Sequence, residues 1–230
     1  MVAEARSRLE PARVRDSLVV ALALASGAVD AISWLGLGKV FSAFMTGNLV
    51  FVGLRIGGAA EPSVIRVLAS LAAFGVGSAL GARIVRRGSQ PGVVWPGRVT
   101  AALAGTVVVQ AAFLALWAAV GGRPSRDTAH VLIAVSALAM GIQATAVFAL
   151  GVRVVFATAA TGTFAVLMGD LVGWPQPPME RQRLLATLAA LVIGAVIGTV
   201  LVLHARAWAA AFPVSISALV VAAAAQAFPR

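Results

Sequence analysis

Long apolar blocks separated by short polar breaks are the feature that most limits what this chain can fold into. The blocks cover residues 17–38, 41–58, 63–85, 99–121, 128–150, 154–172, 183–205 and 207–227 of the 230. Most are close to the ~20 residues that a helix rising ~1.5 Å per residue needs to cross a ~30 Å hydrocarbon layer. A membrane β-barrel would instead alternate apolar and polar residues in ~10-residue strands. We therefore predict an all-α, polytopic membrane helix bundle of six to eight segments.

The composition argues against several other classes of protein. Hydrophobic residues make up 60% of the chain and charged residues 11%, whereas a soluble domain carries roughly 25% charge. The 18 Lys and Arg residues are spread along the loops without a basic, aromatic-rich face, so we expect no nucleic-acid partner. The chain has no cysteine, and His130 and His204 are far apart, which disfavours thiol chemistry and a conventional zinc site. We predict no enzyme activity, no metal and no cofactor, and a lipid bilayer as the surrounding partner.

The polar, basic residues 1–16 precede the first apolar block and are predicted to form a cytoplasmic tail. A signal peptide is the alternative, because the sequence from Ala23 to Ala25 resembles a cleavage site. The apolar stretch continues past Ala25, which favours a spanning helix.

An internal repeat divides the chain. A shift of 115 residues, half the length, aligns residues 31–47 with residues 146–162, and seven of the 17 aligned positions are identical. We predict two homologous halves, a first membrane repeat over 17–121 and a second over 128–230. Each half would hold one long helix, a shorter segment that opens at Thr-Gly, a helix with small residues at every fourth position, and a fourth helix.

The small residues that recur at every fourth position also occur in both halves. They are Ala73, Gly77 and Gly81 in the first and Ala190, Gly194 and Gly198 in the second. Such faces allow helix backbones to approach closely. We favour packing inside the bundle, and a homo-oligomer contact is the alternative.

Whether the second segment of each half spans the membrane decides the topology. If all eight segments span and the N-terminus is inside, the basic loop from Arg83 to Arg98 lies outside, against the positive-inside tendency. If segments 41–58 and 154–172 are broken or re-entrant, six crossings remain and that loop moves inside. The two halves are then inverted rather than parallel, and we favour this arrangement.

Asp30 is the sharpest candidate for a functional residue. It lies inside the first apolar block, where an ionised carboxylate costs at least ~2.5 to 3.5 kcal/mol and should face the bundle interior or a water-filled cavity. Ser26 and Ser33 share its helical face. We predict a proton or cation site, because a buried carboxylate can exchange a proton. The alternative is an acid that is simply hydrogen-bonded near a helix end.

Two Thr-Gly sequences mark the predicted breaks. Thr46, Gly47 and Asn48 open the second segment of the first half, and Thr161, Gly162 and Thr163 open that of the second half. Glycine disfavours helix, while Thr and Asn are good helix starters, so a short helix should follow unwound backbone. Paired broken helices indicate a transporter binding site near the bilayer midplane. Close helix packing at Thr-Gly is the alternative.

The second half has no acid at the position that corresponds to Asp30. Gln143 and Thr145 occupy that region and are polar but neutral, so any role in charge coupling would be asymmetric. Arg55 and Asp170 occupy equivalent positions under the shift of 115 and lie near segment ends. We interpret them as interfacial or structural charges, with a gating pair as the alternative.

The sequence around these residues resembles a known family. Residues 27–35, Gly-Ala-Val-Asp-Ala-Ile-Ser-Trp-Leu, and residues 45–49, Met-Thr-Gly-Asn-Leu, are similar to the signatures of the YoaK-like family. This resemblance implies a bacterial multi-pass membrane protein of unknown function, sometimes labelled a permease. Residues 140–143 and 161–163 also match that pattern, but Ala144 stands where the family commonly has Asn after the glutamine.

We expect a secondary transporter or permease for a small solute in the bacterial inner membrane. Proton or cation coupling would act through Asp30, and the polar groups of both breaks and of Gln143 would contact the solute. The alternatives are a passive channel and a non-transporting membrane scaffold or signalling partner.

Overall fold

The structure is a computed structural model that describes residues 2–86, 93–151 and 160–229. In these residues every regular element is helical, in agreement with the predicted all-α class. The elements are α1 (Val2–Gly36), α2 (Met45–Ile56), α3 (Val64–Arg86), α4 (Gly97–Ala119), α5 (Arg126–Phe148), α6 (Ala160–Leu171), α7 (Pro178–His204), a short 3₁₀ turn (Arg206–Trp208) and α8 (Ala211–Ala227).

Six of these segments are long and apolar enough to cross a membrane. They lie in α1, from Glu10 onward, in α3, α4, α5 and α7, and in the stretch that combines the 3₁₀ turn with α8. By contrast, α2 and α6 have 12 residues each, or about 18 Å of helix, which is short of a ~30 Å hydrocarbon layer. The polytopic helix bundle is confirmed, with six spanning candidates among the described residues.

An ion pair shows that the α2 segment returns to the side from which it starts. Lys39 precedes α2 and Glu61 follows it, yet Lys39 Nζ lies 2.6 Å from Glu61 Oε2. The two ends of the segment are therefore adjacent, as a re-entrant segment requires. The beginning of the matching segment in the second half, residues 152–159, lies outside the described residues.

Cysteine labelling tests this topology on a chain that has no native cysteine. We expect Lys39→Cys and Glu61→Cys to react with a membrane-impermeant maleimide from the same side of oriented vesicles. An added cysteine at Arg123, in the loop between α4 and α5, should react from that side too, and one at Gln176 from the opposite side. Labelling of positions 39 and 61 from opposite sides would show that α2 spans.

The first helices of the two predicted halves, α1 and α5, run antiparallel. Ser26 contacts Gln143, whereas Val29, farther along α1, packs in one cluster with Met140, which is earlier in α5. Because α1 and α5 hold equivalent places in the predicted repeat, this direction supports inverted rather than parallel halves. The duplication itself stays a prediction.

Close glycine contacts join α1 to α7 and α3 to α5. A Cβ at five of these glycines would collide with backbone of the partner helix, and one at Gly81 would make a tight contact with it, so each pair of backbones is in direct contact. The contacts are Gly77 with Leu138, Gly81 with Ile142, Gly141 with Phe74, Gly194 with Leu24, Gly198 with Ala28 and Gly27 with Leu191. The small residues therefore serve packing inside the bundle.

The two sets of contacts correspond position by position. A shift of 117 residues converts the α3 positions into the α7 positions, and a shift of 114 converts the α1 positions into the α5 positions. For example, the contact of Gly77 with Leu138 becomes that of Gly194 with Leu24. This correspondence supports the predicted duplication from packing rather than from residue identity.

Candidate functional site

A cavity of about 120 Å³ lies between the predicted halves. Side chains from α1, α3, α5 and α7 line it, and Ala43 and Met45, at the start of the α2 segment, close part of it. Most of the lining is apolar, and none of the described residues that line it carries a charge. The lining residues Phe74 and Leu191 lie at or next to the midpoints of α3 and α7, which places this part of the cavity near the middle of the bundle.

Gln143 supplies a buried side-chain amide to this cavity. Its Nε2 donates to Ser26 Oγ at 3.0 Å, and the Ser26 hydroxyl donates in turn to the Leu22 carbonyl at 3.0 Å. The Gln143 side chain is 3% exposed, and its Oε1 has no hydrogen-bond partner among the described residues. A buried amide oxygen without a partner is costly, and its presence beside a cavity indicates room for a donor from a water or a solute.

Thr187 of α7 is the third polar residue in the lining. Its hydroxyl donates to the Arg183 carbonyl at 2.8 Å, which leaves the oxygen able to accept a further hydrogen bond. Both acceptors of the cavity, Gln143 and Thr187, therefore suit a ligand that donates hydrogen bonds.

The Asp30 carboxylate binds backbone amides rather than lining the cavity. Its Oδ1 accepts from the amides of Ser42 and Ala43, both at 2.8 Å. These amides belong to the non-helical chain between α1 and α2, which at membrane depth needs partners for its N–H groups. Ser33 supports the same segment, because its hydroxyl lies 2.6 Å from the hydroxyl of Ser42.

Asn48 holds the residue that directly precedes Ser42 in this non-helical segment. Its Oδ1 accepts from the Phe41 amide at 3.1 Å, and its Nδ2 donates to the Phe41 carbonyl at 2.8 Å. Ser70 of α3 donates to the same carbonyl at 2.6 Å and accepts from Asn48 Nδ2 at 3.1 Å. Asn48 and Ser70 are fully buried, so this network fixes the segment against α3.

Asp30 and Asn48 thus shape the segment whose Ala43 and Met45 close part of the cavity. The carboxylate and the amide act on residues 41–43, directly beside that wall. Protonation of the Asp30 carboxylate would weaken its hydrogen bonds to this segment, because bonds to a charged acceptor are roughly twice as strong as neutral ones.

The structure brings some of the other predicted site residues near the cavity and not others. Thr145 is partly buried, and its hydroxyl lies 3.2 Å from the Ser78 carbonyl and 3.1 Å from the Gly141 carbonyl, so it shares its one hydrogen between α3 and α5. Gly47 packs against the ring of Phe44. Thr46, Thr161 and Gly162 lie on exposed surface and do not line the cavity, whereas Thr163 is buried.

Arg55 and Asp170 do not form a pair with each other. Arg55 Nη1 donates to the Ala59 carbonyl, while Asp170 accepts from the Gln176 amide at 2.7 Å and lies 3.5 Å from Arg181. Each charge therefore stabilises the end of its own segment, as the structural interpretation predicted.

Sequence reasoning missed Ser70 and Thr187. The signal that connects them was available, because the shift of 117 that relates the glycines of α3 and α7 also relates Ser70 to Thr187. Both are buried on equivalent faces. Singly, a Ser or Thr in an apolar helix is too common to stand out.

Comparison with known proteins agrees with this arrangement of residues. The profile of the family described as "Protein of unknown function (DUF1275)" matches residues 18–223, which include Asp30, Asn48 and Gln143. The chain belongs to this family. It is also 37% identical over 162 residues to the UPF0700 transmembrane protein YoaK of Bacillus subtilis (strain 168), across 70% of this chain and 69% of that protein. No solved structure matches the chain significantly.

Membership of DUF1275 confirms the resemblance found from the signatures around Asp30 and Asn48. Together with the six apolar helices, it establishes a multi-pass membrane protein. In this DUF1275 member, the signature residues Asp30 and Asn48 bind the backbone of one re-entrant segment.

Proposed function

We propose that the protein is a permease for a small, uncharged solute that binds in the cavity between the two halves. The observation that carries this proposal is the buried Oε1 of Gln143, which has no partner among the described residues and lies beside a cavity lined by both halves. A site between repeats near the midplane is where transporters built from inverted repeats hold their substrates. We place the protein in the bacterial inner membrane with its N-terminus in the cytoplasm.

The cavity limits the size and charge of the solute. Its volume of about 120 Å³ is below the ~150 Å³ of an engineered cavity that binds one benzene molecule. No charged side chain of residues 2–86, 93–151 or 160–229 lines it, so an ion would lose its hydration without compensation. The acceptors Gln143 and Thr187 favour a neutral solute with hydrogen-bond donors, of the size of urea or glycerol.

Coupling to a proton gradient would act through the position of the re-entrant segment. Protonation of Asp30 would weaken its hydrogen bonds to the amides of Ser42 and Ala43 and loosen the wall beside the cavity. We expect Asp30→Asn to abolish any dependence of uptake on a pH gradient while the protein stays folded. Uptake that responds to the gradient equally in both proteins would contradict this coupling.

A permeation assay tests the proposed function. Proteoliposomes that hold the full chain should swell in urea or glycerol faster than empty liposomes, and should exclude sucrose. Ala144→Phe fills the cavity from α5 and should bring the rate back to the level of empty liposomes. Ala101→Phe, on the exposed face of α4, is the matched control and should leave the rate unchanged.

A scaffold is the second candidate, and one observation favours it. The hydrogen bonds of Asp30 and of Asn48 to backbone are sufficient to explain both signature residues as structural. If wild-type and Ala144→Phe proteoliposomes both swell no faster than empty liposomes with each solute, the scaffold is favoured over the permease.

A further inference from the structure

The two ends of the bundle carry pockets of similar size but different charge. One pocket, of about 520 Å³, lies between α1 and α7 and includes Asp16 and Arg183. The other, of about 510 Å³, lies where α3 and α5 begin and includes Arg66 and His130. Because the α1/α7 and α3/α5 contacts correspond position by position, the two pockets are equivalent places in the predicted repeat.

At the α1/α7 pocket the buried arginine is neutralised by carboxylates. Arg183 Nη1 lies 3.2 Å from Asp16 Oδ2, and Arg183 Nη2 lies 3.7 Å from Glu180 Oε1. The Arg183 side chain is 9% exposed, so these acids offset a charge that is largely removed from water. This pocket has no need of an anion from outside the chain.

At the α3/α5 pocket an arginine occupies the equivalent position, but other residues stand where the α1/α7 pocket has its acids. The shift of 117 places Arg66 at the position of Arg183 and Ser63 at the position of Glu180. The shift of 114 places His130 at the position of Asp16. Arg55 likewise stands where the second half has Asp170, under the shift of 115. All three carboxylates are thus absent from this end.

The result is a pocket with an excess of positive charge. Lys39, Arg55, Arg66 and Arg126 line it, against one carboxylate, Glu61. Lys39 already pairs with Glu61 at 2.6 Å, and its hydrogen bond and charge hold the pKa of Glu61 below its usual range. In the described part of the chain, none of the three arginines pairs with a carboxylate.

Two further features of the pocket suit an anion. The Nε atoms of Arg55 and Arg66 are buried and have no hydrogen-bond acceptor among the described residues. The N-termini of α3 and α5, at Val64 and Arg126, both lie at this pocket, and helix N-termini favour negative charge through their free N–H groups. Arginine forks match the oxygens of a phosphate in two-point contacts.

We propose that the pocket at the start of α3 and α5 binds a phosphate group, held by Arg66 with Arg55 and Arg126. The group comes either from a soluble phosphate compound or from the headgroup of an anionic phospholipid, since both present the same oxygens. This site is separate from the cavity between the halves and does not depend on the permease proposal.

The test measures phosphate binding to the full chain, purified in a neutral detergent. Inorganic phosphate is titrated calorimetrically at low ionic strength into wild type, Arg66→Gln, and the double variant Ser63→Glu/His130→Asp. The double variant restores at Arg66 the acids that surround Arg183. Arg123→Gln removes a positive charge from a nearby loop that does not line the pocket, and is the matched control. Thermal unfolding of each variant verifies that it is folded.

In a second arm, the same proteins are placed in nanodiscs of phosphatidylcholine with or without phosphatidylglycerol, and retained phosphatidylglycerol is measured after detergent extraction. We expect Arg66→Gln and the double variant to weaken binding at least about tenfold and Arg123→Gln to change it less than about twofold. If the variants lose binding of inorganic phosphate, the ligand is a soluble phosphate compound. If they lose only the retained phosphatidylglycerol, the ligand is a lipid headgroup. Binding in neither arm, or binding equal in wild type and the double variant, overturns the proposal.

Discussion

Replacing Asp30 with alanine should lower the free energy of unfolding by about 3 kcal/mol or more, because two backbone amides lose a charged acceptor. The Ser42 and Ala43 amides each hydrogen-bond Asp30 Oδ1 at 2.8 Å, and an unpartnered buried donor costs about 1 to 3 kcal/mol. For a chain of this length, thermal unfolding in detergent should fall by about 6 to 12 °C. The unfolding temperature, followed by circular dichroism, checks this result.

Two variants show whether the loss comes from these hydrogen bonds. Asp30→Asn keeps an acceptor oxygen without its charge, and should lose about half as much stability as Asp30→Ala. Asp127→Ala removes an exposed acid from the first turn of α5 and should cost less than about 1 kcal/mol. Equal unfolding temperatures for wild type and Asp30→Ala would mean that Asp30 does not hold the re-entrant segment.

Adding a single methyl group at Gly77 or Gly194 should be as damaging as removing the Asp30 carboxylate. A Cβ at Gly77 would overlap the Leu138 carbonyl, and one at Gly194 would overlap the Leu24 carbonyl, so a helix pair must separate. Overpacking in close-packed interiors costs about 1 to 3 kcal/mol. Because the obstacle here is backbone, which cannot rotate away, we expect Gly77→Ala and Gly194→Ala to reach the upper end.

Gly75 and Gly105 provide matched controls on spanning helices. A Cβ at either position meets no atom of the described chain within 4 Å. Since alanine is favoured over glycine in a helix by about 1 kcal/mol, Gly75→Ala and Gly105→Ala should be neutral or slightly stabilising in the same thermal assay. Gly75 and Gly77 are two residues apart on α3. If Gly75→Ala and Gly77→Ala unfold at the same temperature, α3 and α5 are not in close contact at Gly77.

The helices could be predicted from the sequence because their signal is local. The predicted blocks 63–85, 99–121 and 128–150 differ from α3, α4 and α5 by no more than two residues at either end. The six crossings also followed from local facts, since block 41–58 opens with helix-disfavouring residues and leaves α2 only 12 residues long. Apolar length and helix breakers are properties of the chain before it packs.

The direction in which polar side chains point could not be predicted in the same way. Thr46 and Asn48 belong to one motif, yet Thr46 is exposed and Asn48 is fully buried, because a helix turns about 100° per residue. Which face meets α3 depends on tertiary packing. Asp30 illustrates the same limit: its place inside an apolar block was predictable, but its use by two distant amides depends on the path of residues 37–44.

The shift between the halves shows how packing refines a sequence repeat. Residues 31–47 match the second half at a shift of 115, whereas the helix contacts give 114 for α1 and α5 and 117 for α3 and α7. Loops change length more readily than packed helices, so the shift differs between helix pairs. With the packing values, Ser70 corresponds to Thr187 and Arg66 to Arg183.

The most direct test of the solute site compares two buried glutamines. Gln143 and Gln110 are 3% and 4% exposed, and neither Oε1 has a partner in the part of the chain that the structure describes, but Gln110 lines a void of only about 10 Å³. The measurement is the initial rate of urea-driven swelling of proteoliposomes with wild type, Gln143→Leu or Gln110→Leu. We predict at least about a fivefold lower rate for Gln143→Leu and no change for Gln110→Leu. Equal rates for wild type and Gln143→Leu would contradict a solute site at the cavity.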